Sequence, residues 1–174
     1  MQRFVWMVLA LALLSSIPTQ AQAPEAASAF TLEGDLGVTV EGAFYPILSP
    51  VDALLSALGE PIQAASAPAC VYEGLDWEYT YDAGSLYTCP MDGHDVWYEF
   101  YITAQGASTA RGISIGDPLQ AVYDAYGEDY YDEGGGMITY SVSGIPGDLA
   151  SPCIIFGIEE GAVVLIDVYY PINI

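Results

Sequence analysis

The chain has 174 residues and carries 23 Asp and Glu against two Lys and Arg, a formal charge of −21 at pH 7. Such a field repels nucleic acid and anionic lipid, and it favours either cationic partners or no partner at all, as an acidic coat that keeps a protein monodisperse. An apolar fraction of 53% with 14 Tyr and 3 Trp excludes a disordered chain, and the length suits one domain or two small halves.

At the N-terminus Met1-Gln2-Arg3 leads into the apolar run Phe4–Leu14 and then the small-residue box Ala21-Gln22-Ala23. A positive start, a short apolar stretch and such a box are the parts of a secretory signal peptide, and the run is too short to span a bilayer of about 30 Å. Residues 1–23 are therefore expected to be cleaved after Ala23, leaving a product free outside the cytoplasm with Arg111 as its sole Lys or Arg. Residues 24–41 form a lead: Pro24–Ala29 reads as disordered, and Phe30–Val40 alternates as an extra strand.

Two helices follow the same design. Ser49-Pro50-Val51-Asp52-Ala53-Leu54-Leu55-Ser56-Ala57-Leu58-Gly59-Glu60 matches Asp117-Pro118-Leu119-Gln120-Ala121-Val122-Tyr123-Asp124-Ala125-Tyr126-Gly127-Glu128 position by position at an offset of 68. Ser49 and Asp117 read as N-caps, Pro50 and Pro118 as first helical residues, and Asp52 and Gln120 as capping-box partners. The stripes Val51, Leu54, Leu55, Leu58 and Leu119, Val122, Tyr123, Tyr126 give each helix one apolar face, and Gly59 and Gly127 supply the left-handed stop. Helices this short need a sheet to lie on.

Strands rich in aromatic and β-branched residues are expected at Cys70–Glu73, Trp77–Tyr81, Ser85–Cys89 and Val96–Thr103, and again at Met137–Val142, Cys153–Ile158 and Ala162–Tyr170. Asp82-Ala83-Gly84, Asp92-Gly93 and Glu159-Glu160-Gly161 mark the turns. The chain thus reads as α+β: repeat 1 over 42–109 and repeat 2 over 110–174, each a short helix packed on an antiparallel sheet of three to four strands. Cys70 and Cys89 are the expected disulfide, since both fall on strands of one half in an exported chain, and Cys153 reads as a buried thiol.

Helix first, then an antiparallel meander, given twice, resembles the fold of β-lactamase inhibitory protein and of the small outer-membrane assembly lipoproteins. The wording that carries the likeness is Ala57-Leu58-Gly59-Glu60-Pro61 and Gly112-Ile113-Ser114-Ile115-Gly116-Asp117, echoed by Tyr126-Gly127-Glu128. Secreted proteins of gut-dwelling Gram-positive bacteria are similar and share the Gly-Ile-Ser-Ile-Gly-Asp phrase. The likeness implies a fold and assigns no activity.

Chemistry has few places to sit. His94, the only His, lies in the turn Met91-Asp92-Gly93-His94-Asp95, where Asp92, His94 and Asp95 form a weak cation-site candidate or a plain solvated turn. The segment Gly127–Gly136 gathers Asp129, Tyr130, Tyr131 and Asp132 before three Gly. It reads as a flexible acidic loop with Tyr anchors for a basic cleft, or as a solvated turn. On Val96–Thr103 strict alternation puts Trp97, Glu99 and Tyr101 on one face, with Asp167 and Tyr169 as counterparts. That face is either an open protein-binding surface or the cover of the junction between halves. Arg111 is expected to tie the linker between halves to a carboxylate.

The expected function is a secreted, non-enzymatic protein-binding module, monomeric or weakly dimeric and without cofactor. Its partner would be an extracellular protein with a basic surface, in the sharpest form an extracellular enzyme that it inhibits. The alternative is a cation-binding or envelope-associated structural protein with no dedicated partner.

Overall fold

The computed structural model describes residues 28–148 and 150–172. The expected signal peptide and its cleavage site lie outside the described residues. The protein is α+β, and the described residues form three short helices and two antiparallel sheets. No helix among the described residues is long and apolar enough to cross a membrane.

The lead departs from its expected strand. Thr31 starts a single helical turn, α1 (Leu32–Asp35), by accepting from Gly34 N–H on its hydroxyl at 3.2 Å, while Asp35 accepts from Thr31 N–H at 2.7 Å. This local capping outcompetes extension, so the strand begins only at β1 (Gly37–Val40). A two-residue turn at Glu41-Gly42 returns the chain as β2 (Ala43–Pro46), and β7 (Ser108–Thr109) completes a three-stranded sheet in the order β2-β1-β7.

The remaining elements are α2 (Asp52–Leu58), β3 (Gln63–Pro68), β4 (Leu75–Tyr81), β5 (Gly84–Met91) and β6 (His94–Ile102), then α3 (Leu119–Tyr126), β8 (Tyr131–Gly134), β9 (Met137–Ser141), β10 (Cys153–Glu159) and β11 (Ala162–Tyr169). The eight strands β3 to β6 and β8 to β11 form one continuous sheet in the order β3-β4-β5-β6-β11-β10-β9-β8, in place of the separate sheets expected. A helix followed by four strands occurs twice along the chain, and the last strands of the two runs, β6 and β11, pair at the centre.

Both helices start later than the sequence suggests, for one reason. The segments before them are used to tie onto the sheet: Leu48 N–H donates to Trp97 C=O and Val51 N–H to Asp95 C=O, while Gly116 N–H donates to Val163 C=O and Leu119 N–H to Gly161 C=O. Pro50 and Pro118 lie in bridges to Val96 and Ala162 instead of opening the helices. Ser49 accordingly donates its hydroxyl to Pro46 C=O at 2.6 Å, and Asp117 accepts from Ser114 N–H at 2.7 Å; neither side chain caps. Gln120 does not reach back either, since its amide donates along the helix to Asp124 at 2.9 Å. Gly59 (φ 79°, ψ −157°) and Gly127 (φ 86°, ψ −175°) end the helices where expected, but in an extended positive-φ conformation open to glycine instead of the left-handed helical one, and they close the last turns with N–H donation to the C=O of Leu55 and Tyr123.

Sequence composition misses the two edges of the large sheet. Residues 70–73 form a bend rather than a strand, and the first edge is β3, an Ala-rich and wholly exposed segment. The opposite edge is β8, inside the stretch that reads as a flexible acidic loop. Gly134, its last residue, and the two Gly that follow all take positive φ (82°, 65° and 83°) to turn the chain into β9.

The core lies between one face of the eight-stranded sheet and the layer of α2, α3, β1 and their neighbours. It joins Leu36, Val38, Leu54 and Val122 to sheet residues Leu86, Trp97, Phe100, Ile102, Ile154, Phe156, Ile166 and Val168, all without solvent exposure. Burial of this kind is the main source of stability, at about 25 cal/mol per Å² of apolar surface. Arg111 bolts the layer together: it pairs with both oxygens of buried Asp35 and donates to the carbonyls of Ser28, Ala29 and Ala125, with its guanidinium 4.7 Å from the Tyr126 ring centroid. The carboxylate partner expected for Arg111 is therefore Asp35.

Candidate functional site

Among the described residues, no helix or second sheet covers the face of the large sheet that points away from the helices. Its side chains follow from the register. One row runs across the strands as Tyr87, Glu99, Tyr169, Cys153 and Ser141; the next runs as Ser85, Tyr101, Asp167, Ile155, Thr139 and Tyr131. Glu99 and Asp167 are thus diagonal neighbours on the two central strands, with backbones about 7–8 Å apart. The outer rows place Glu99, Tyr101 and Tyr169 on one surface, as alternation suggests.

Trp97 does not join them. Tyr87 pairs with Glu99 and Thr88 with Trp97, so Tyr98 is the extra residue of a β-bulge. The bulge reverses the alternation, turning Trp97 fully into the core, where its indole N–H donates to Ser49 at 3.3 Å, and turning Tyr98 to the outer face beside Tyr87. Trp97 is therefore a core residue, contrary to the expectation that it lines an open surface. A matching irregularity at Gly157/Ile158 leaves Val164 as the extra residue in β11.

The acidic Tyr segment divides between the two sides of the sheet. Tyr131 reaches the outer face, where it is 39% exposed. Tyr130 turns the other way and stacks on Tyr123 with ring centroids 5.4 Å apart; with Asp129, Phe30, Tyr126 and Tyr140 it lines a separate cavity of about 710 Å³. Asp132 is exposed and accepts from Gly134 N–H at 2.8 Å, stiffening the turn.

On the outer face a cavity of about 300 Å³ opens over the central strands and is overhung by the loop after β9 through Ile145, Gly147 and Asp148. Val142 N–H donating to Pro152 C=O and Ser143 N–H donating to Ser151 hold that loop closed at its base. Glu99, Asp167 and Glu133 face the cavity. Burial, reinforced by Glu99, pushes the Asp167 carboxyl up to about 7, and burial also raises Glu99. One oxygen of Asp167, Oδ1, is sealed from solvent and has no hydrogen-bond partner. Glu133 accepts from the Thr139 hydroxyl. Sequence reasoning took Asp167 only as a counterpart of Glu99 and passed over Glu133; no signal in the chain marks the pairing of β6 with β11 that makes the two carboxyls neighbours.

Cys153 lies in the same row, and burial followed by the neighbouring acids pushes its thiol up to about 12, so it stays protonated at neutral pH. The expected Cys70–Cys89 bridge is not formed. Cys70 is exposed in the bend beyond β3, whereas Cys89 is fully buried on β5, with β4 between the two strands. His94, Asp92 and Asp95 are exposed around the β5–β6 turn, and among the described residues no group of three or more His, Cys, Asp or Glu is arranged to hold a metal ion.

No protein family, curated protein or solved structure matches the chain.

Proposed function

We propose that this protein is an exported, non-enzymatic binding module that recognises a basic protein surface through the outer face of its eight-stranded sheet. The observation that carries this reading is the one-sided layering: the helices and the small sheet cover the inner face, and the outer rows are left with Tyr87, Tyr101 and Tyr169 among carboxylates. Tyrosine gives contact area at low entropic cost, and uncompensated acids steer a basic partner and reject an acidic one. Among the described residues Arg111 is the sole Lys or Arg, and it is consumed on the opposite side of the sheet by Asp35 and three carbonyls.

The reading includes duplication of a helix-plus-four-strand unit. Its support is the twin set of ties from Leu48 and Val51 and from Gly116 and Leu119, together with the sheet order mirrored about β6 and β11. The resemblance to β-lactamase inhibitory protein suggests inhibition of an extracellular enzyme as the sharpest form.

Selection of a random displayed-peptide library on the full chain at moderate salt tests the reading. Lys- or Arg-containing sequences should be enriched, and the Tyr101→Ala, Tyr169→Ala double variant should lose them. Enrichment without basic bias, or binding that salt removes equally from both proteins, would overturn the reading in favour of an acidic coat.

A further inference from the structure

The outer-face cavity has a charge problem that the chain does not solve. Glu99, Asp167 and Glu133 face a space of about 300 Å³, and no cation of the described chain points there. Arg111 is saturated on the inner side of the sheet, and His94 is exposed at the hairpin end of β6. Removing a charge from water without a partner is costly, and a carboxylate so placed either takes a proton or takes a cation. The rest of the lining mixes Thr139, Ser141, Cys153 and Asp148 with larger apolar groups. Ile145, Ile155, Tyr131 and Tyr169 give it apolar and aromatic walls, suited to covering a hydrocarbon stem.

We propose that this cavity receives a primary ammonium group carried on a short apolar stem, the chemistry of a lysine side chain presented by the basic partner. The inference rests on the binding reading above and deepens it by naming the anchor. Two features select ammonium over guanidinium. A guanidinium is planar and seeks both oxygens of one carboxylate, whereas an ammonium is a compact point charge that takes acceptors from different directions. Asp167 has one oxygen, Oδ1, sealed from solvent inside the protein, so only its other oxygen is open to the cavity and a two-pronged grip on this carboxylate is not offered. Glu99 comes from the neighbouring strand on the diagonal, and Glu133 from the edge strand β8, so the acceptors are spread around the space. The aromatic walls add attraction for a cation passing over a ring face.

Binding is coupled to protons. The groups around Asp167 are Glu99 and Tyr101 on β6, Tyr169 on β11, Cys153 on β10, Glu133 on β8 and Asp148 from the overhanging loop. None of them is a cation, and Asp167 itself, pushed up to about 7 by burial and by Glu99, takes a proton as pH falls that an incoming ammonium must displace. Affinity is therefore expected to rise from pH 5.5 to pH 8.

The test uses n-butylamine as the probe, followed by backbone amide shifts of the full chain, with n-butylguanidine and n-butanol as comparators. Saturable shifts at Glu99, Cys153 and Tyr169 are expected with the amine, weaker ones with the guanidine and none with the alcohol. Asp167→Asn, which keeps shape and removes a buried charge, should weaken amine binding about tenfold, as should Glu99→Gln. A thermal melt of each variant separates loss of the site from loss of the fold. An equal response to butanol, or affinity unchanged in both folded variants, would overturn the inference. Saturable amine binding without any basic bias in the peptide selection would leave the cavity's chemistry standing and remove the protein-partner reading; basic peptides that bind Asp167→Asn as tightly as the unaltered protein would do the reverse.

Discussion

The two faces of the eight-stranded sheet are made from the same strands by residues one step apart, yet they differ in kind. The inner rows, such as Leu86, Phe100, Val168 and Ile154, are completely buried against helices. The outer rows hold Tyr, Glu and Asp at partial exposure, with Tyr101 41% accessible. Parity along a strand thus decides whether a residue joins the core or the outer face proposed for binding, and a single bulge at Tyr98 is enough to move Trp97 from one to the other.

Substitutions sharpen this division in order of expected cost. Trp97→Ala removes the largest fully buried side chain and should destabilise by about 3–5 kcal/mol in chemical denaturation. If it instead proves neutral while removing binding, Trp97 belongs to the outer face. Arg111→Ala strands buried Asp35 and frees three carbonyls, so a loss of about 3 kcal/mol is expected, part of it restored by adding Asp35→Asn.

On the outer face the sign reverses. The Asp167 carboxyl lies near 7 in the folded protein against an ordinary value of 3.8. The folded state therefore holds a proton that the unfolded state has released, and stability should fall as pH rises between those values. Asp167→Asn should flatten that part of the profile and leave the variant more stable than the original protein at pH 8. The smallest expected effect is that of Tyr101→Ala, within about 0.5 kcal/mol on stability while weakening partner binding. A large stability loss there would mean that the outer face is a second core.

Much of this arrangement is legible in the sequence. Periodicity locates both helices and six of the sheet strands, because burial on one face leaves a pattern of 3.6 or 2 residues. Gly59 and Gly127 mark the helix ends, and Asp92-Gly93 and Glu160-Gly161 the hairpins, because those turns need positive φ. What escapes is whatever depends on partners distant in the chain. The edge strands β3 and β8 have no buried face to leave a pattern, and only their pairing with β4 and β9 makes them strands. The helix starts shift because Pro50 and Pro118 find bridging partners on the sheet. The bulge is invisible to strict alternation, so Trp97 is misassigned while Glu99, Tyr101 and Tyr169, all beyond it, are placed correctly.

The central ladder carries one more consequence, for the order of events in folding. Every other pairing in the large sheet joins strands that follow one another along the chain, whereas β6 and β11 pair residues 64 to 70 positions apart, from Ile102 with Ile166 to Glu99 with Tyr169. Closing so long a loop is the slow step in forming a sheet, so each meander is expected to assemble before the seam between them zips. Glu99, Tyr101, Asp167 and Tyr169 all lie on that seam. The surface proposed for binding is therefore expected to be the last part of the molecule to come into being, and a chain that has folded only by halves does not possess it.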